Sequence, residues 1–472
     1  MRLIELIEDI PNKWNNVEIK GIAYDSRSVK KGYMFVARQG FTYDSHNYVQ
    51  DAIKKGASAL VLERDVAVNC IPKIMVKDGR KALALFSNKF YKEPSRKLKV
   101  IGITGTNGKT TSALLIKSIY DNMGIKTGLI GTIEHWVGDK KLKACKTTPE
   151  SLDLIVLLTT MVDGGVKVAI CEVSSHALAL DRVLGIDFDI ACFTTLGRDH
   201  LDFHKTMDDY KETKLKLFKS LSKDKLAILN RDDGTFDSFA KYIKAHLASY
   251  GTNPLCDVRG RLLSSSTDGN KMEISWERQK IVINSFLLGA HNLHNILLAF
   301  TCALEDGVPI PHIKSGIESL ERVSGRFELI GNVIIDYAHT PDSLKAAMVS
   351  AKKISRGKLI SVFGCGGERD HGKRPLMGKI ATTLSDYAII TSDNPRRENP
   401  DKIINEIVKG VVGKNYKIIP ERIEAIEYAI KLADEDDIVL VAGKGHEAYQ
   451  EIGENKIPFD DRKFVQEFLK VR

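Results

Sequence analysis

The chain has 472 residues, 43% of them apolar and 28% charged, with a formal net charge of +9. That length exceeds one ordinary core and predicts about three domains. No uninterrupted apolar run reaches about 18 residues, so no membrane span is expected. The excess charge comes from scattered lysines, which suit a solvated surface and anionic substrates such as nucleotides, with no motif for nucleic acid.

The opening stretch, MRLIELIEDIPNKW, carries acids inside its short apolar run and no small-residue cleavage pattern, so it does not read as a signal peptide. Cys70, Cys145, Cys171, Cys192, Cys256, Cys302 and Cys365 form no CxxC pair. Several sit in apolar strand-like runs and read as reduced core cysteines of a cytoplasmic protein. The first hundred residues, with Tyr24-Asp25-Ser26-Arg27, Phe35-Val36-Ala37 and Gly40 through His46, read as a small α/β module.

Two seams follow, one at residues 91–97 and one near Glu321 to Arg326. They divide the chain into segments 1–96, 97–325 and 326–472, all sensible domain sizes. In the last two, a short β-branched run, a glycine or polar turn and a helical pattern recur. Val100 to Thr104, Val168 to Val173, Val333 to Tyr337, Leu359 to Gly364 and Ile438 to Gly443 are the strand-like runs. Such alternation predicts parallel α/β sheets, whose ligands collect beyond the carboxyl ends of the strands.

The run Gly102-Ile103-Thr104-Gly105-Thr106-Asn107-Gly108-Lys109-Thr110-Thr111 joins a strand to a helix with an apolar stripe of Leu115, Ile116, Ile119, Tyr120 and Met123, and Gly124 as its stop. Glycines let backbone N–H groups face phosphate oxygens, Lys109 reaches the β- and γ-phosphates, and Thr110 suits Mg²⁺. A strict P-loop would place glycine at 103, where this chain has Ile103. The compact form from Gly105 to Thr111 resembles that of the Mur ligase and folylpolyglutamate synthase superfamily. The fold it implies has a small N-terminal α/β domain, a central P-loop-type parallel-sheet ATPase domain and a C-terminal Rossmann-like α/β domain.

Glu172, Ser174, Arg182 and the run Arg198-Asp199-His200 then resemble the Mur ligases that add the third residue to a peptidoglycan precursor. The resemblance implies Glu172 and His200 as Mg²⁺ ligands beside Thr110, and Ser174 and Arg182 as muramyl-peptide contacts. Lys214 shares an apolar helical face with Tyr210, Leu217 and Phe218. A lysine there ordinarily snorkels to water, but the family position implies a carbamate that bridges Mg²⁺. Thr195 and Gly197 stand where the family segment has Asn and Ser.

Gly289 to Asn295 resembles the family pattern G-x-x-N-x-x-N, implying nucleotide contacts from Asn292 and Asn295, although an asparagine cap explains such a residue equally well. Arg326 would approach the γ-phosphate, and Asp336 with His339 the ribose. In the third segment, Arg369, Asp393-Asn394-Pro395-Arg396, Gly443 and Glu447 match the third-residue ligases. An arginine fork fits a carboxylate, so Arg396 is assigned the distal carboxylate of meso-diaminopimelate. Asp393, Asn394, Gly443 and Glu447 would hold its distal ammonium, and Arg369 its other carboxylate. A Pro-Arg turn paired with a local acid such as Glu398 is the alternative. Ser26 and His46 would sit near the uridine diphosphate, and Thr147 and Thr148 on the muramyl substrate.

The resemblance implies a cytoplasmic, monomeric, ATP- and Mg²⁺-dependent ligase acting on UDP-N-acetylmuramoyl-L-alanyl-D-glutamate and meso-diaminopimelate. The same reaction with L-lysine, a folylpolyglutamate synthase, and a non-enzymatic ATP-switched binding module are the other readings.

Overall fold

A computed structural model describes residues 1–7, 11–40, 43–68 and 70–471. Phe41 and Thr42, quoted with the His46 motif, lie outside the described residues. The chain forms two compact units, one of residues 1–102 and 125–189, the other of residues 103–124 and 190–472. The division falls within the strand Lys99–Thr104. The fold class is α/β. Among the described residues, no helix is long and apolar enough to cross a membrane, and all seven cysteines are free.

The first unit contains a four-stranded parallel sheet of Gly21–Ala23, Tyr33–Val36, Ala59–Leu62 and Lys73–Met75. Side chains alternate across it: Met34, Val36, Ala59 and Val61 enter one core, while Phe35, Leu60 and Leu62 enter another. Covering on both faces explains why these strands read as continuous apolar runs. The helix Gly79–Phe90 starts at Asp78, whose carboxylate accepts the N–H groups of Arg80 and Lys81. Elsewhere in this unit Val168–Glu172 pairs in parallel with Thr127–Ile130.

In the second unit, Ile190–Phe193, Leu226–Asn230, His246–Gly251 and Val258–Ser266 pair in parallel, and two antiparallel strands complete that edge. The helix Lys109–Asn122 buries Leu115, Ile116, Ile119 and Tyr120. Met123, expected on the same stripe, is exposed, because the helix has ended and the chain turns at Gly124 with positive φ. The helix Met207–Lys219 is capped by Thr206, with Asp208 and Asp209 in its first turn and Lys216 and Lys219 in its last, which suits its dipole.

The six-stranded sheet of this unit runs Glu328–Ile330, Val333–Asp336, Ile438–Ala442, Leu359–Phe363, Tyr387–Ile390, Tyr416–Ile418. All but the first pair in parallel. Its register sets Asp336 opposite Ala442, Val362 opposite Val441 and Phe363 opposite Ile390. The loops after these strands therefore leave from one rim. Nonadjacent motifs converge for that reason.

Candidate active site

The phosphate-loop glycines are sterically required. A Cβ on Gly105, at φ 144°, would lie 1.8 Å from Thr194 Oγ1, and one on Gly108, at φ 89°, 2.4 Å from Asn295 Oδ1. Lys109 Nζ donates to the carbonyls of Gly105 and Thr106, each at 2.9 Å. Lys214 Nζ donates to Gly105 O at 2.9 Å and lies 4.4 Å from the centre of the Tyr210 ring. Lys214 is 1% exposed and does not snorkel. Burial, then Lys109, hold its amine well below the usual lysine range, with Asp199 opposing. Thr195 and Gly197 serve the loop through their backbones: Thr106 N donates to Thr195 O, and Gly197 N to Thr106 Oγ1. Their departure from the family's side chains leaves these bonds intact.

Asp199 gathers nitrogen groups from its neighbour and from two distant segments. Its carboxylate meets His200 Nε2 at 3.2 Å, His339 Nε2 at 3.4 Å and Lys373 Nζ at 3.7 Å. Burial alone would raise its pKa, but His200, His339 and Lys373 pull it well below the carboxylate range. Arg326 Nη2 donates to Thr110 Oγ1 at 3.2 Å, and its guanidinium lies over Tyr337 at 4.5 Å.

A cavity of about 430 Å³ opens beside the loop, lined by Asn107, Gly108, Thr111, Asn295, Arg326 and Asp336 among others. Gly105, Thr106, Lys109, Thr110, Asn292 and His339 do not line it. Asn292 supports the wall instead: its Oδ1 accepts from Asn295 Nδ2 at 2.7 Å and its Nδ2 donates to Leu288 O at 2.6 Å. The helix Asn292–Glu305 has His291 at its N-cap and no side-chain cap bond, so neither asparagine is a cap. His339 binds Tyr337 O through Nδ1 at 2.7 Å and faces Asp199. Burial raises the Asp336 carboxyl against the pull of Arg326.

At the rim of the six-stranded sheet, Asp393, Asn394, Arg396, Gly443 and Glu447 come together. Asp393 is buried, its Oδ2 makes no hydrogen bond, and a Cβ on Gly443 would lie 2.5 Å from that oxygen. Asn394 Nδ2 donates to Glu447 Oε2 at 2.7 Å, and Lys444 Nζ donates to Asn394 Oδ1 at 2.9 Å. Burial and then Asp393 raise the Glu447 carboxyl. Against its own burial, Lys444 and Arg422 hold Asp393 low. Lys444, whose Nζ lies 3.4 Å from Glu447 Oε2, supplies one cation to this pair of carboxyls.

Arg396 pairs through Nε with Glu451 at 2.9 Å and donates from Nη1 to Gly367 O at 2.8 Å. Glu398, the local acid considered for it, pairs instead with the buried Arg374. Arg369 donates to Glu368 O at 3.0 Å on the same loop.

In the first unit, Glu172 is 1% exposed and accepts from Thr132 N and Thr132 Oγ1, both at 2.9 Å. Thr132 Oγ1 also lies 3.1 Å from Thr147 Oγ1, and Thr148 Oγ1 donates to Glu172 O at 2.7 Å. Ser174 caps the helix Ser175–Ala179 and bonds to Thr148, while Arg182 Nη1 donates to Thr148 O at 3.2 Å. These predicted residues form one network.

Ser26 lines a separate cavity of about 860 Å³. His46 does not line it. Its Nε2 accepts from Glu63 N at 3.0 Å and its Nδ1 meets Asp44 Oδ1 at 2.6 Å, so both ring nitrogens are engaged within the protein.

Asp199, Thr132, Lys373 and Lys444 carry much of this geometry and were not singled out from the sequence. Asp199 stood beside a predicted ligand, His200. The partners that distinguish these residues lie far along the chain, and no local pattern marks them.

Three family models match the chain: Mur ligase family, catalytic domain, over residues 18–91; Mur ligase middle domain over 103–303; and Mur ligase, glutamate ligase domain, over 325–445. A relative from Clostridium tetani, named UDP-N-acetylmuramoyl-L-alanyl-D-glutamate--2,6-diaminopimelate ligase, is 43% identical over 100% of this chain and 99% of its own. A relative of the same name from Bacillus cereus is 41% identical over 100% of this chain and 98% of its own. A solved structure of a ligase of that name has a TM-score of 0.72 and 30% identity, covering 100% of this chain and 99% of its own.

Proposed function

The chain belongs to the Mur ligase family, and on that premise we propose that it joins meso-diaminopimelate to UDP-N-acetylmuramoyl-L-alanyl-D-glutamate. It consumes ATP, acts in the cytoplasm as a monomer in peptidoglycan precursor synthesis, and is divided functionally at residues 1–96, 97–325 and 326–472. The observation that carries the choice of amino acid is the rim pocket. Asp393 offers a buried carboxylate oxygen that makes no hydrogen bond, Glu447 a second carboxyl, and Arg396 a guanidinium that now pairs with Glu451 and would exchange it for the substrate's carboxylate. An ammonium and a carboxylate on one carbon, the far end of diaminopimelate, satisfy all three.

A carboxylate does not acylate an amine at neutral pH. In the proposed sequence an oxygen of the D-glutamate γ-carboxylate attacks the γ-phosphorus, the bond to the bridging oxygen breaks, and ADP leaves. The amine of the amino acid then attacks the acyl carbon, loses a proton and expels phosphate as the amide forms. Lys109 and Arg326 neutralise charge during the first step. Asn107, Gly108, Thr111, Asn295 and Asp336 hold the nucleotide, with Gly105 and Thr106 shaping the loop and Asn292 and His339 bracing its surroundings.

Mg²⁺, when bound, supplies charge neutralisation on the transferring phosphoryl group. Thr110 and His200 fit its coordination as oxygen and nitrogen donors. Lys214 fits once carbamylated: its amine, favoured neutral by burial, adds to CO₂ and loses a proton, giving an anion in place of a cation. In the first unit, Ser26, Thr147, Thr148, Ser174 and Arg182 serve the nucleotide-sugar peptide.

The test is product analysis by mass spectrometry. ATP, Mg²⁺, the muramoyl dipeptide nucleotide and diaminopimelate together should yield the dipeptide nucleotide plus one diaminopimelate less one water, with ADP and phosphate in equal amount. ADP formation with no adduct would sink the ligase reading.

A further inference from the structure

Beneath the rim pocket lies a buried ion pair that the mechanism does not use. Arg422 opens the helix Arg422–Leu432, Asp461 opens the helix Asp461–Val471, and both side chains are buried. Arg422 Nε donates to Asp461 Oδ1 at 2.9 Å, and Nη2 donates to Oδ2 at 2.7 Å. The far edge of the same guanidinium meets two backbone carbonyls. Nη2 donates to Ala442 O at 3.1 Å, and Nη1 lies 3.5 Å from Ser392 O.

These are the last carbonyls before the pocket. Ser392 precedes Asp393, and Ala442 precedes Gly443. Their strands, Tyr387–Ile390 and Ile438–Ala442, are not neighbours, because Leu359–Phe363 runs between them. No ladder bond joins the two strand ends directly, and Arg422 spans the gap. The fit beyond it is close: a Cβ on Gly443, at φ 118°, would lie 2.5 Å from Asp393 Oδ2.

Taking both charges of such a pair out of water is costly, and an apolar pair of similar volume would pack two helices as well or better. An apolar side chain could not hold the two carbonyls. The charge also bears on the pocket. Burial would raise the Asp393 carboxyl, and Lys444 and then Arg422 hold it low.

We propose that Arg422, oriented by Asp461, is a positioning residue of the amino-acid pocket, fixing the separation of Asp393 and Gly443 and so the seat of the far ammonium. The inference rests on the function proposed above and adds to it two residues that touch no substrate. It also ties the helix Asp461–Val471 to amino-acid binding.

The experiment is steady-state phosphate release by the full chain with ATP, Mg²⁺ and the muramoyl dipeptide nucleotide, varying diaminopimelate and then ATP. Arg422→Met combined with Asp461→Leu removes both charges together, so the fold should survive with a urea midpoint close to wild type. Its KM for diaminopimelate should rise about tenfold or more while its KM for ATP holds. Arg422→Lys keeps the charge without the fork and should fall between, which keeps the assignment testable if the double variant unfolds. A smaller folded fraction alone would lower kcat and leave KM in place. Wild-type KM for diaminopimelate in a folded double variant, or in Arg422→Lys, would overturn the assignment. So would an equal rise in both KM values, which would mean general loosening. A wild type that releases no phosphate with diaminopimelate would instead overturn the proposed function on which the inference rests.

Discussion

Lys214 Nζ lies 2.9 Å from the carbonyl oxygen of Gly105, which makes a lysine from the helix Met207–Lys219 part of the phosphate loop. Its amine is buried beside a second lysine, Lys109, and favours the neutral form. A neutral amine is the form that takes up CO₂. Enzyme equilibrated with ¹³C-bicarbonate should show a carbamate carbon signal in NMR spectra. Lys214→Ala should abolish that signal and lower ligation by about 100-fold or more. A signal that persists in the variant would place the carbamate elsewhere.

Lys109 is the loop's cation for the transferred phosphoryl group. Lys109→Ala should lower the rate of phosphate release by about 100-fold or more. Wild-type turnover in this variant would remove Lys109 from the chemistry.

Gly105 tests the loop's shape rather than its charge. Alanine there must displace Thr194, whose Oγ1 would lie 1.8 Å from the new Cβ, and must adopt φ 144°. Gly105→Ala should cost about 1–3 kcal/mol in urea unfolding. A variant as stable as wild type would show that the strand end relaxes freely.

The pH dependence has a definite sign. Burial lowers His291 to about 4 and His446 to about 3, from an ordinary value of 6.5. Below pH 6.5 the unfolded chain takes up these protons while the folded chain does not. Their stabilising effect is therefore complete above 6.5 and declines as the pH falls towards 4 and then 3. Asp44, held at about 2 by the His46 backbone and side chain and by Arg64 against its burial, loses its contribution in a lower window, from 3.8 downward. Urea midpoints between pH 7 and pH 4.5 should fall, and His291→Gln should flatten that fall. An unchanged slope in the variant would assign it to other groups.

Much of the site was legible because glycine turns, strand ends and charged pairs leave local marks. The loop from Gly105 to Thr111 and the run Asp393 to Arg396 announce themselves by residue type and spacing, and parallel topology then brings strand ends to one rim. Lys214 was legible as an anomaly, a lysine on an apolar face, and it is indeed buried. His46 shows the limit of local reading: a histidine in a polar turn reads alike whatever its ring meets, and only the fold supplies its partners Asp44 and Glu63. Arg422 and Asp461 stand 39 residues apart, and the carbonyls that Arg422 meets lie at two other strand ends, so only the fold reveals that arrangement.

The central claim is that the rim pocket selects an amino acid with an ammonium and a carboxylate at its far end. The most direct measurement is phosphate release with ATP, Mg²⁺ and the muramoyl dipeptide nucleotide, comparing meso-diaminopimelate with L-lysine in wild type and Arg396→Ala. The account predicts a preference for diaminopimelate of about 100-fold or more, about 2.7 kcal/mol, that collapses in the variant. Equal use of the two amino acids by wild type, or a preference that survives the loss of Arg396, would contradict it.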